Sequence, residues 1–182
     1  QALFYYRKAS HLRQDDSRLL YKVASTYFNE NHWESCLKQL DTALQMHRLQ
    51  PEYNLMAGEC KMQLGQYKDA VQFFTTVVAL RPKNIKGWEA LIRCLYNTAY
   101  FEDALDQSEA AIKATGGKVI FEYYQVAILL ALGMSKEALL LLEAAMQSQP
   151  KMLKKFVELN PSVLQNQQVV DVIARQKRNK SI

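Results

Sequence analysis

The side chains that most often do chemistry are few in this chain and poorly spaced for it. The three histidines, His11, His32 and His47, fall at separate helix ends or turns. None stands with an Asp or a Cys at the spacing that a metal site or a nucleophile–base pair needs. The three cysteines, Cys36, Cys60 and Cys94, also lack metal-ligand spacing. Glu59, Glu89 and Arg93 have the residue types for acid–base work, but such groups on neighbouring helices are more commonly an ion-pair network. Gly116-Gly117 reads as a helix stop, because a phosphate-cradling glycine loop would follow a strand and no strand pattern precedes it. These residues predict a chain that is not an enzyme and needs no cofactor, no metal and no small-molecule substrate.

What would position these residues is a repeat. Ala70 and Ala104 sit in equivalent contexts 34 residues apart, and the same step reaches Cys36 and Ala138. A second small-residue column runs Ala43, Val77, Ala111, Ala145, and small side chains there let two helices cross closely. An aromatic column, Trp33, Tyr67, Phe101, opens the second helix of each copy, with Ser135 departing from it. The turn between helices falls at Asn31, Gly65, Ala99 and Gly133, where glycine takes a left-handed backbone without steric cost. Arg48, Pro82, Gly116 and Pro150 end each copy, and proline and glycine both stop helices. Four copies of two helices each are therefore expected, over 17–50, 51–84, 85–118 and 119–152. Residues 1–16 read as the second helix of an earlier copy, as if the chain were cut from a longer array. Residues 153–182 read as a helical cap and a basic tail, broken at Asn160-Pro161, with a final helix that carries Leu164, Val169, Val170 and Ile173 and has Asn166 as an internal cap.

A period of about 34 with two helices per copy resembles the tetratricopeptide repeat (TPR) family. The resemblance implies an all-α fold, a right-handed α-solenoid of helix-turn-helix repeats with a C-terminal capping segment. It also implies that positions 2, 5, 6, 9, 12 and 13 of each repeat line a concave groove, which receives a peptide or a partner helix. The candidate contacts are Tyr21, Lys22 and Phe28 in the first repeat, Met56 and Met62 in the second, Arg93 and Tyr96 in the third, and Tyr123 and Tyr124 in the fourth. Tyrosine and methionine suit adaptable binding surfaces. The other reading of Tyr123, Tyr124 and Leu130 is burial against the C-terminal cap. The carboxylate clamp with which some TPR proteins hold acidic chaperone tails is not met: of its five positions, read from the first repeat, only Lys86 fits.

Charge and hydropathy bound the partners. Lys151, Lys154, Lys155, Arg175, Lys177, Arg178 and Lys180 stand against Glu158 and Asp171 alone, and carry the whole formal charge of +5. Cations near helix ends favour the helix dipole, and the tail lacks interleaved aromatics, which argues against nucleic acid. The most apolar stretch, Val119 to Met146, is interrupted by Glu122, Gly133, Lys136 and Glu137, so no membrane span is expected. Cys60 and Cys94 share a column of adjacent repeats at about 10 Å, the separation of packed helices, beyond disulfide reach. Free thiols favour a reducing, cytoplasmic setting. The expected function is a protein-interaction scaffold or adaptor whose partner is another protein. The alternative is a regulatory or substrate-recruiting segment of a larger enzyme or assembly.

Overall fold

The computed structural model describes residues 16–179. Among them run ten α-helices and two 3-10 turns, with no strand. The helix expected at residues 2–14 lies outside the described residues, as do residues 180–182. Two compact units divide between Cys94 and Leu95.

The first unit holds α1 (Ser17–Asn29), α2 (Trp33–Met46), α3 (Pro51–Gln63), α4 (Tyr67–Leu80) and most of α5 (Ile85–Asn97). The second holds the end of α5, then α6 (Phe101–Thr115), α7 (Val119–Ala131), α8 (Ser135–Ser148), α9 (Leu153–Leu159) and α10 (Gln167–Asn179). The 3-10 turns Pro150–Met152 and Pro161–Gln165 flank α9. The helices α1, α3, α5 and α7 each run 13 residues. Each starts one period after the last, because start and stop chemistry recurs at that interval. Asp16 begins α1: its Oδ1 accepts from the backbone N–H of Arg18 at 3.0 Å and of Leu19 at 3.2 Å, satisfying donors that no helical carbonyl reaches. Pro51 begins α3, where its missing N–H costs nothing.

All four turn positions are left-handed, with φ of 59° at Asn31, 73° at Gly65, 59° at Ala99 and 78° at Gly133. The next residue in each turn donates back to the carbonyl five residues earlier: His32 to Tyr27, Gln66 to Lys61, Tyr100 to Leu95 and Met134 to Leu129, all within 2.9–3.0 Å. This is the Schellman closure, which satisfies helix-end carbonyls and turns the chain back on itself. It brings α1 onto α2, α3 onto α4 and α7 onto α8. Both small-residue columns are fully buried at 0% exposure. Gly58 shows how close the helices come, since a Cβ there would lie 2.7 Å from the Phe74 ring.

The C-terminal segment begins in register, Leu153 standing one period after Val119, and then departs from it. Asn160-Pro161 breaks α9 after seven residues, because proline disfavours helix at the residue before it and removes a donor. The final helix starts after Asn166, whose Oδ1 accepts from Gln168 N–H at 3.0 Å and Val169 N–H at 3.3 Å. Leu164, expected on the apolar face of that helix, instead lies in the preceding 3-10 turn and is 48% exposed. In the regular copies the next first helix packs on the previous second helix, α3 on α2 and α7 on α6. By contrast α9 packs on α7, while α10 packs on α8.

Candidate partner-binding site

In the first unit the residues expected to face a partner stay accessible. Tyr21, Phe28, Met56 and Met62 are half-buried, and Lys22 and Arg93 are exposed. Tyr21 stacks on Tyr53 with ring centroids 4.9 Å apart, and its backbone carbonyl accepts from Ser25 Oγ at 2.9 Å. Burial, and then the carboxylates of Glu52 and Glu59, push the Tyr21 hydroxyl above its ordinary pKa. Glu59 is likewise raised by burial, with Lys86 pulling it down. Glu52 pairs with Arg81. This face therefore presents an aromatic and thioether floor among charges of both signs.

Phe28 has a second task. It meets Trp33 edge-on across the turn at 5.1 Å, and Tyr96 meets Phe101 in the same way at 5.3 Å. The aromatic column thus clasps the end of the helix before it, a contact that two columns one turn apart encode.

In the second unit the two expected contacts on α7 are covered. Tyr123 and Tyr124 are 0% and 2% exposed, so neither is open to a partner in this arrangement. Tyr123 lies against Phe156 of α9, centroids 6.5 Å apart, and its hydroxyl donates to the Gln149 carbonyl at 3.1 Å. Burial, then Glu122, pushes that hydroxyl up to about 12. Tyr124 packs edge-on against Phe121 at 6.3 Å. Tyr96 is half-buried, and its hydroxyl accepts from Asn160 Nδ2 at 2.6 Å.

A second concave surface lies on the other helices of the first unit, between α2 and α4. One cavity of about 500 Å³ is lined by Glu34, Lys38, Asp41, Lys61, Asp69 and Phe73 among others. Another of about 600 Å³ adds Gln45, Arg48, Leu49 and Thr76, and the two share Asp41, Gln72 and Phe73. Lys61 spans the first, 3.3 Å from Asp69 and 2.8 Å from Gln66 Oε1. None of the candidate contacts named from the sequence lines this trough. The sequence signal for it is apolar residues on and just after a second helix, such as Leu44 and the 66% exposed Leu49.

The cysteines are free thiols, all buried. Cys36 and Cys60, in different columns, are the pair that meet: a hydrogen bond with Cys36, then burial, pushes Cys60 upward, and burial raises Cys94 to about 12. Thiols so held are poor nucleophiles. Among the described residues no His, Cys, Asp and Glu cluster could hold a metal ion, and no helix is long and apolar enough to cross a membrane.

A family model described as anaphase-promoting complex, cyclosome, subunit 3 matches residues 1–77. Among solved structures, a MamA crystal structure superposes with a TM-score of 0.75 at 15% identity, covering 84% of this chain and 89% of that one. MamA from Desulfovibrio magneticus RS-1 gives 0.70 at 17%, covering 92% and 96%. YrrB, described as a TPR protein with an unusual peptide-binding site, gives 0.67 at 18%, covering 91% and 96%. At these identities the likeness is one of fold, and it agrees with the repeat columns and their Schellman turns: the chain has the helix-turn-helix repeat fold of tetratricopeptide-repeat proteins.

Proposed function

We propose that the chain is a non-catalytic protein-interaction scaffold, and that a peptide or partner helix docks on the inner-facing residues of the first unit. The observation that carries this reading is the accessibility of Tyr21, Lys22, Met56 and Met62 on consecutive first helices, where Tyr123 and Tyr124, the counterparts of the first three on α7, are covered. Flexible thioethers beside a rigid stacked tyrosine pair suit such docking, because the first adapt to a ligand and the second lose little entropy on contact. The description of YrrB as peptide-binding, and the matched family's place in a multisubunit complex, support a scaffold within a larger assembly. The buried thiols fit a reducing, cytoplasmic setting. Among the basic C-terminal residues, Lys154 pairs with Glu158 at 3.6 Å and Arg175 with Glu143 at 3.2 Å, which supports a packing role for these two over a nucleic-acid one.

A second reading places the partner in the trough between α2 and α4, favoured by its two adjoining cavities. Two folded variants separate these readings. One carries Lys22→Glu, Met56→Ala and Met62→Ala; the other carries Gln45→Lys and Gln72→Lys. The inner-face reading expects a partner isolated from the source cell to lose binding to the first variant alone. Loss with the second alone assigns the trough, and retention by both overturns the two readings together.

A further inference from the structure

We infer that Pro150–Asn166 is a self-ligand: α9 occupies a helix-binding face of α7, and an amphipathic helix of another protein, with an aromatic and a leucine three residues apart, displaces it. The inference concerns the second unit and stands apart from the reading of the first.

Register and packing disagree in this segment. A helix starting at Leu153 has the place of a first helix, yet it lies on the preceding first helix. The face it covers is built to be covered. Nine of the 13 residues of α7 are buried, against four of 13 in α1, and α6, α8 and α9 all pack on it. A helix apolar over most of its surface must be largely enclosed, and here α9 supplies the third side.

The form of α9 is that of a helix laid in a groove. Phe156 and Leu159 point inward at 0% and 8% exposure. On the opposite side Lys154 and Lys155 pair with Glu158 at 3.6 and 3.9 Å in water. Its ends are tied by two polar contacts, Tyr123 hydroxyl to Gln149 carbonyl and Asn160 amide to Tyr96 hydroxyl. Seven residues are too few to hold a helix unaided, so α9 persists only while it is seated. Meanwhile α10 is fixed on its own account: Val169, Val172 and Ile173 are buried, and Arg175 pairs with Glu143 of α8. The segment between two anchored helices is therefore a closed loop, able to lift while both stay in place. Lifting it uncovers Tyr96 and Tyr123, two of the residues whose column marks a contact face.

The test uses the full chain and a labelled peptide of residues 150–165. A site already occupied by its own segment lowers apparent affinity by the fraction of time it stands open. The chain carrying Phe156→Ala and Leu159→Ala should bind the peptide at least about tenfold more tightly than the unaltered chain, and the peptide carrying Phe156→Ala should not bind. No binding to that variant, with helix content and a cooperative melt retained, overturns the inference. Should the variant fail to fold, amide exchange on the unaltered chain decides: residues 153–159 should exchange about a hundredfold faster than α7 and α8. Equal rates would make α9 inseparable from the core and overturn the inference too. Concentration-dependent dimers that form as α9 loses protection would assign the face to a second copy, which overturns the external partner.

Discussion

The two units share one repeat and differ in what lies over their first helices. In α1 the fifth-position tyrosine, Tyr21, is half-buried and stacks on its neighbour Tyr53. Its counterpart in α7, Tyr123, is wholly buried and bonded to the chain that follows. The same column thus makes an accessible surface in one place and a core in another. A position in a repeat fixes the direction of a side chain; what sits in front of it depends on the next element. Where a regular copy follows, the face stays accessible, and where a proline breaks the copy, the chain folds onto it.

Core deletions separate the units most strongly. Phe74→Ala removes a fully buried ring of the first unit that packs against Gly58. It should cost about 3–5 kcal/mol in denaturant unfolding, as buried aromatic deletions do. Phe156 is equally buried, yet its loss should cost only about 1–2 kcal/mol, because a locally released segment limits the loss to the energy that seats it. Equal costs would erase the distinction between a core and a seated segment.

Helix caps should show no such difference. Asp16→Ala in the first unit and Asn166→Ala in the second each remove an acceptor from two backbone donors. Each should lower stability by about 1 kcal/mol. A much smaller loss at Asn166 would mean that α10 is not independently anchored, and would weaken the closed-loop account of α9.

The turns sharpen the comparison by a smaller step. Ala99 holds φ of 59° where Gly65 holds 73°. Left-handed backbone costs alanine about 1–2 kcal/mol, and glycine returns about 0.5–1 kcal/mol of that as chain entropy. Ala99→Gly should therefore raise stability by roughly 0.5–1 kcal/mol, and Gly65→Ala should lower it. A destabilising Ala99→Gly would place a packing role on that methyl group.

The smallest effect is electrostatic. Burial raises the Glu59 carboxyl above its ordinary pKa, against the pull of Lys86. The folded chain then holds that proton more readily than the unfolded one. The stability this gives is fully present below the unfolded carboxylate pKa and is lost as pH rises through the folded one. Glu59→Gln should therefore melt above the unaltered chain at pH 7, and the gap should close as pH falls into the carboxylate range. A gap constant from pH 7 to pH 4 would mean that Glu59 is not desolvated on the inner face.

Much of the fold was legible because each local rule is short-ranged. Pro51, Gly65 and Gly133 set starts and turns through their own backbone, and Cys36, Ala70, Ala104 and Ala138 mark a helix crossing by size alone. What the sequence did not disclose is long-range. Phe156 and Leu159 announce an apolar face without saying which helix receives it, and Asn160 gives no sign of the Tyr96 hydroxyl 64 residues earlier. The meeting of Cys36 with Cys60 crosses columns, so a search within one column passes over it. The trough between α2 and α4 is a space between two exposed helix surfaces, and residue types on each do not measure their separation.

The most direct test of the account is hydroxyl-radical footprinting of the full chain, read residue by residue by mass spectrometry. The account predicts that Tyr21, Met56 and Met62 are modified readily, while Tyr123, Tyr124 and Phe156 are modified far more slowly than Tyr21. Modification of Tyr123 and Tyr124 at the rate of Tyr21 would show both inner faces equally open, and would contradict it.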